Sequence, residues 1–160
     1  MPFDSHKFRK ALSHFATGVT IVTGRADDGE PVGVTVNAFC SVSLEPPLIL
    51  ICLAKTTGCL LAISTGDRFA VNVLSENQED LSIEFAGPRE HRFKNRAYDV
   101  SDGGCPILPG CLANLECTRT EVHEAGDHVI VVGRVERVVH ATDGKPLLFY
   151  RSAYGRIDDA

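Results

Sequence analysis

Apolar positions along the chain follow two rhythms. Phe8, Ala11, Leu12 and Phe15 recur at i, i+3, i+4 and i+7, which predicts a helix over residues 4–17 with one apolar stripe. Asp4 or Ser5 can cap it, and Gly18 is placed to end it. Beyond it the period shortens to two. Residues 19–23 (VTIVT) and 32–36 predict paired strands, with Asp28-Gly29 as the hairpin signal between them. Residues 48–53 are apolar on both faces, so a central strand is expected there, with Pro46 and Pro47 outside its ladder. Residues 57–65 read as a short helix closing on Gly66, and 68–74 as a strand alternating Phe69, Val71 and Val73 with Ala70 and Asn72. A capping box, Ser75-x-x-Gln78, opens a helix expected over 76–85.

Residues 86–110 break the rhythm with four glycines or prolines at 103, 104, 106 and 109, besides Gly87, Pro88 and Gly110. Phe93 and Tyr98 are too apolar for a free linker, so this segment predicts a loop packed over something. Alternation returns over 111–122, and 128–140 and 147–150 read as further strands, with turns at 124–127 and 142–145. Tyr154-Gly155-Arg156 closes the chain. About seven short strands joined mostly by hairpin-length turns, with two or three helices, predict a mainly β antiparallel barrel with helices at its ends. Residues 1–160 are expected to form one domain.

Composition narrows the partners. Hydrophobic residues make up 44% and charged residues 23%, and the net charge of -5 comes without a basic run. Nucleic acid and anionic membranes are therefore not expected as main partners. No stretch reaches the roughly 18 consecutive apolar residues of a spanning helix. The start, MPFDSHKFRK, has no secretory pattern, so a cytoplasmic location is expected. None of the six cysteines (Cys40, Cys52, Cys59, Cys105, Cys111, Cys117) forms a C-x-x-C pair, so they read as reduced, buried thiols. The six-residue spacing of the last three would place them on one side of an extended strand.

The candidate chemistry centres on residues 33–57. The segment 35–43 is rich in small and polar residues (Thr35, Asn37, Ala38, Ser41, Ser43), which let a flat ring approach the backbone. Asn37 offers both a donor and an acceptor. A polar strand edge at a β-bulge would show the same pattern. At the other end of the 48–53 strand, Lys55, Thr56 and Thr57 combine an ammonium with two hydroxyls before a helix, which suits a phosphate. Equally, a threonine can cap the helix there while Lys55 is solvated. His128 opens a strand after Gly126-Asp127 and can face a substrate or serve structurally. His123 lies across the same hairpin, but no third ligand is suggested, and no metal is expected. Tyr154 can stack on a ring or simply pack. Rossmann, Walker A, H-E-x-x-H and G-x-S-x-G patterns are absent, which shifts weight from hydrolysis to cofactor chemistry.

Taken in order, FATGVTIVT, GVTVNAFCSVSLEPPLILICL, FAVNVL, GDHVIVVGRV and PLLFYRSAYG resemble the short-chain flavin reductase family, over about residues 8–155. That resemblance implies an antiparallel split β-barrel of Greek-key type with flanking helices, usually a homodimer with flavin near the subunit interface. The implied reaction is reduction of FMN or FAD by NADH or NADPH, the reduced flavin passing to a partner flavin-dependent monooxygenase. It implies that the flavin ring lies against the segment matching Thr35, Val36, Asn37, Ala38, Ser41 and Val42, with Cys52 beside it. The ribityl phosphate would meet Ala54, Lys55, Thr56 and Thr57. His128 would sit near the nicotinamide, Tyr154 near the site, and Arg92-Phe93 against flavin or nicotinamide. The chain departs from the common pattern at Asn37-Ala38, where two small hydroxyl residues are usual, and at Cys40, where threonine is common. A flavin carrier or sensor without turnover, an oxidase resembling pyridoxamine-phosphate oxidases, and a purely structural dimeric barrel are the alternatives. Lys55 as the lone cation of the first cluster counts against the oxidase.

Overall fold

The computed structural model describes residues 3–158. The chain begins with helix α1 (Ser5–Leu12), then strands β1 (Thr17–Gly18), β2 (Thr20–Arg25), β3 (Pro31–Val36), β4 (Phe39–Leu44) and β5 (Pro47–Ala54). Helix α2 (Leu60–Thr65), strand β6 (Arg68–Val73) and helix α3 (Glu79–Ala86) follow. A 3-10 turn (Arg89–His91) and two short strands, β7 (Asp99–Val100) and β8 (Pro106–Ile107), cross the irregular region. The long hairpin β9 (Ala113–Ala125) and β10 (His128–His140), then β11 (Leu148–Tyr150) and β12 (Ala153–Gly155), complete the chain.

Seven strands form one antiparallel sheet in the order β3-β2-β6-β9-β10-β5-β4. Its two ends share a core. Val32 and Val36 of β3 pack in one cluster with Ile49, Ile51 and Leu53 of β5, and with Phe69, Val71, Val129 and Val131 between. The sheet thus curls on itself without β3 and β4 pairing through hydrogen bonds, which is a split antiparallel barrel. Gly133 lets Phe69 into that interior, since a side chain there would collide with the Phe69 ring.

A second core lies outside the barrel wall. Ile21, Leu74, Leu81, Phe85, Leu108 and Leu147 gather under α3, with Phe93, Tyr98, Phe149 and Tyr154 packed against them. This cover buries β2 and β6 on both faces. Asn72, fully buried, ties the layers together: its amide donates to Ile21 O at 2.9 Å and Thr23 Oγ1 at 3.1 Å, and its oxygen accepts from Leu108 N and Asn114 Nδ2, both at 2.9 Å. The 86–110 loop is packed through Phe93, whose ring meets Phe85 and Tyr98 edge-on.

Several expectations change. Asp4 does cap α1, accepting from the N–H groups of His6 and Lys7 at 3.0 Å each. The helix stops at Leu12 and not at 17, where Ser13 Oγ turns back to Lys10 O and Gly18 is already a strand residue paired with Leu148. None of its residues is buried. Most of the small, polar segment 35–43 lies in strands, the end of β3 and then β4, and 153–155 is a strand too. The capping box is half formed: Ser75 N donates to Gln78 Oε1 at 3.0 Å, but the helix begins at Glu79. The three evenly spaced cysteines do not share a strand, because Cys105 and Cys111 lie in loops and Cys117 lies in β9. All six thiols are free, but Cys40 is exposed and Cys52 and Cys111 are half-buried.

Strand β5 departs most usefully from expectation. It lies between β10 and β4, and Ile49, Ile51 and Leu53 point into the barrel. Its other face, with Leu50 and Cys52, has no layer over it and remains half-exposed.

Candidate functional site

That uncovered face is the floor of an open groove of about 720 Å³. Cys40 and Ala38 border it from β4 and the turn before it. Leu12 and Phe15 wall it from the end of α1, and Thr17 and Gly18 from β1. Sites for small organic ligands generally measure ~300–1,000 Å³ and are mostly apolar with a few convergent polar groups. Three observations show that this groove suits a flat ring with a polar edge. The Asn37 side-chain amide is exposed at its rim and bonds to no protein group among the described residues. Thr17 Oγ1 is a buried polar atom with no partner. A Cβ added to Gly18 would meet nothing within 4 Å, so the protein itself does not require glycine there.

The backbone explains why Asn37 is presented. Thr20 Oγ1 donates to Val36 O at 2.6 Å and anchors the end of β3, while Phe39 N donates to Asn37 O at 3.0 Å. Cys52 N donates to Ala38 O at 3.0 Å, which brings this turn against β5. The chain then enters β4, where Val42 is the extra residue of a bulge between Ser41 and Ser43. Ser41 and Val42 are exposed on that strand. Val36 faces the barrel core, and Thr35 donates to Ser82 O at 2.6 Å on the α3 side.

A charged cluster lies where β5 and β10 end. His128 pairs with Ala54 across the ladder, and Lys55 N donates to Asp127 O at 2.9 Å. Lys55 Nζ pairs with Glu124. His128 Nδ1 lies 2.7 Å from Asp127 Oδ1, and this hydrogen bond holds the Asp127 carboxyl below the usual carboxylate range. The Asp127 contact leaves Nε2 of a half-exposed imidazole free to meet a ligand. Thr57 N donates to Ala54 O at 2.9 Å, closing a turn, and Thr56 is exposed on it. Helix α2 starts at Leu60, three residues later than the sequence reading placed it, so neither threonine caps it.

The structure therefore gathers Asn37, Ala38 and Cys52 in the groove and Ala54, Lys55, Thr56, Thr57 and His128 beyond the floor's end. It places Arg92, Phe93 and Tyr154 elsewhere. Arg92 is buried and donates to Gly33 O at 2.6 Å and to Gly87 O at 3.0 and 2.7 Å. Phe93 belongs to the aromatic chain of the second core, and Tyr154 OH shares a 2.8 Å hydrogen bond with Ser82 Oγ. Leu12, Phe15, Thr17, Gly18 and Leu50 line the groove without having been singled out. The signal for Leu12 and Phe15 was the apolar stripe of the first helix, which does not by itself say what the stripe faces. Among the described residues, no three His, Cys, Asp or Glu side chains converge as a metal site, and no helix is long and apolar enough to cross a membrane.

A split barrel with an open, mostly apolar groove of this size has room for a flat cofactor with a polar edge. The family model described as the flavin reductase like domain matches residues 12–158, and the chain belongs to that family. It is 47% identical over 154 residues to the FMN reductase (NADH) SmoA of Agrobacterium fabrum, covering 96% of this chain and 86% of the relative. It is 42% identical over 157 residues to the flavin-dependent monooxygenase reductase subunit HsaB of Mycobacterium tuberculosis, covering 97% and 83%. Two Rhizobium meliloti relatives are longer, and the chain spans 43% and 58% of them. Among solved structures, the Streptomyces globisporus NADH:FAD oxidoreductase SgcE6, in complex with NAD and FAD fragments, superposes with a TM-score of 0.91 at 34% identity, covering 97% of this chain and 93% of that one.

Proposed function

We propose that this chain is an NAD(P)H:flavin oxidoreductase that reduces FMN or FAD and delivers the reduced flavin to a separate monooxygenase. The observation that carries this reading is the groove over the outer face of β5, apolar on its floor, with a free Asn37 amide at its rim. A bound flavin would supply the redox chemistry, as a two-electron carrier between the nicotinamide and the monooxygenase. The protein's part is to hold two rings face to face and keep water from between them. Leu50 and Cys52 present an apolar surface to one ring face, and Asn37 meets the polar ring edge. Lys55, released from Glu124, meets the phosphate tail, with Thr56 and Thr57 beside it. His128, oriented by Asp127, contacts the nicotinamide side.

Two copies complete the site in this reading. Phe8, Leu12 and Phe15 are 48%, 56% and 79% exposed, an apolar strip that a monomer would leave in water. Leu12 and Phe15 belong to the groove wall as well, so covering the strip also closes the site. The active form is accordingly a homodimer, and the location cytoplasmic. The names of the relatives support the assignment, one being an FMN reductase using NADH and another the reductase subunit of a flavin-dependent monooxygenase. The test is a steady-state matrix of NADH and NADPH against FMN, FAD and riboflavin with purified protein. Flavin-dependent oxidation of the nicotinamide is expected. Flavin binding without oxidation would make the protein a carrier, and no response to any flavin would overturn the reading.

A further inference from the structure

The opposite side of α1 builds a second hollow, of about 650 Å³. His6, Arg9, Lys10 and His14 line it from the helix and the residues just after it, and Arg151 from the turn between β11 and β12. Ser13 and Ser152 add hydroxyls, and no carboxylate lines it, in a chain whose net charge is -5. Arg9, Lys10 and Arg151 take part in none of the ion pairs among the described residues. Cations in the last turn offset the carbonyls of a helix end, which accounts for Arg9 and Lys10. It does not account for His6 in the first turn or for Arg151 from a separate element.

Arg151 is also held in place. Its N–H donates to Ser13 O at 2.9 Å, and its guanidinium lies 5.1 Å from the centre of the Tyr150 ring. Arg151 and Ser152 have φ of 50° and 63°, the left-handed region that residues with side chains enter at a cost. The turn thus fixes a cation and a hydroxyl over the polar face of α1. Three like charges around one concavity repel unless an anion lies among them, and guanidinium groups are the side chains best matched to phosphate oxygens.

We propose that this hollow binds the pyrophosphate-bearing tail of NADH or NADPH, whose nicotinamide ring occupies the neighbouring groove. The proposal rests on the flavin-reductase reading. The end of α1 separates the two sites: Leu12 and Phe15 wall the groove, Ser13 and His14 the hollow. Lys55 and its neighbours, beyond the far end of the groove floor, serve the single phosphate of FMN, so a second anion site serves a molecule with a second anionic tail. FAD carries its pyrophosphate at the same ribityl end, beside Lys55, so the second tail is that of NADH or NADPH.

The test compares the wild type with Arg9→Glu/Arg151→Glu and with the milder Arg9→Gln/Arg151→Gln. Inorganic pyrophosphate is titrated first, followed through the imidazole NMR resonances of His6 and His14. Shifts in the wild type that are lost in both variants are expected. With FMN as acceptor, KM for NADH or NADPH then rises about tenfold in the Glu pair, less in the Gln pair, while the Kd for FMN holds. If the Kd for FAD weakens about tenfold instead and KM for the nicotinamide holds, the hollow serves the flavin and the proposal is overturned. No pyrophosphate response in the wild type, or no change for either dinucleotide, overturns the proposal. A wild type that oxidises no nicotinamide with any flavin sinks the flavin-reductase reading, and the pyrophosphate titration then decides separately whether the hollow is an anion site.

Discussion

Gly18→Val separates the groove from the fold. Gly18 lies on the groove wall in strand β1, paired with Leu148, and a Cβ there meets no atom within 4 Å. A valine side chain therefore enters space that only a ligand would fill. Displacing a tricyclic ring by one carbon layer removes contact over one ring face, on the order of 100 Å². At about 25 cal/mol per Å² this amounts to about 2.5 kcal/mol, or roughly 70-fold in flavin affinity. Stability should move the other way. Glycine in a strand costs about 0.5–1 kcal/mol, and valine suits extended backbone. For 160 residues the unfolding entropy is about 0.3 kcal/mol/K, so Tm should hold or rise by about 2–3 °C. The assay is flavin fluorescence quenching on titration with protein, paired with a thermal melt of the flavin-free protein. Gly18→Ala should fall between wild type and valine. An unchanged Kd for FMN in a valine variant with wild-type Tm would refute the groove as the ring site. A lower Tm would show that the space beside Gly18 is not open.

Other outcomes probe separate parts of the site. Lys55→Met should weaken FMN about tenfold and leave riboflavin unchanged, and Glu124→Gln, by freeing Lys55, should tighten FMN a few-fold; parallel losses for both flavins would place the phosphate elsewhere. Arg92→Lys cannot reach both Gly33 O and Gly87 O, so it should cost about 1–3 kcal/mol and lower Tm by about 3–9 °C while FMN affinity in the folded protein stays level; a selective loss of FMN affinity would return Arg92 to the site. Burial pushes the thiols of Cys105 and Cys111 up to about 11 and that of Cys117 up to about 12. An unfolded chain releases these protons from about pH 8.5, so their contribution to stability is complete below that pH and is lost as pH climbs through 11–12. Urea midpoints measured from pH 7.5 to 10.5 should fall, and a flat profile would contradict the burial of these thiols.

The architecture was legible where period and turn chemistry agreed. Asp28-Gly29 predicted the β2–β3 hairpin, and Gly29 takes φ of 84° in it. The alternation of Phe69 and Val71 against Ala70 and Asn72 was real, but it could not show that both faces of β6 are buried, because α3 and the 106–108 segment that cover one of them are distant in sequence. Within the site, Asn37 and Lys55 were legible as polar groups at strand ends. Arg92 was not legible as a structural residue, because its guanidinium serves carbonyls of Gly33 and Gly87 that only the folded chain brings together. Nor was the partner of the Tyr154 hydroxyl legible, because Ser82 comes from α3, distant in sequence. Val42 shows the reverse, since a bulge at a polar strand edge was weighed for 35–43 and β4 contains one.

An apolar run cannot say what will cover it. Residues 48–53 carry enough hydrophobic surface for two buried faces, and the inference to a strand covered on both sides followed from that count. The fold covers Ile49, Ile51 and Leu53 but leaves Leu50 and Cys52 at the bottom of a groove. The stripe of α1 is comparable, since periodicity puts Phe8, Leu12 and Phe15 on one apolar face and the chain buries none of them. These two mismatches meet in space, because Leu12 and Phe15 face the groove whose floor is Leu50 and Cys52. Apolar surface of that extent stays in water only at a cost of about 25 cal/mol per Å². A flat ring on the floor and a second subunit over the helix would remove that cost together, which is why ligand binding and association should be coupled. With the proposed homodimer, dilution of the protein should therefore weaken flavin affinity as the two copies separate. Flavin affinity independent of protein concentration across that transition would mean that each subunit holds its ring without help from the other.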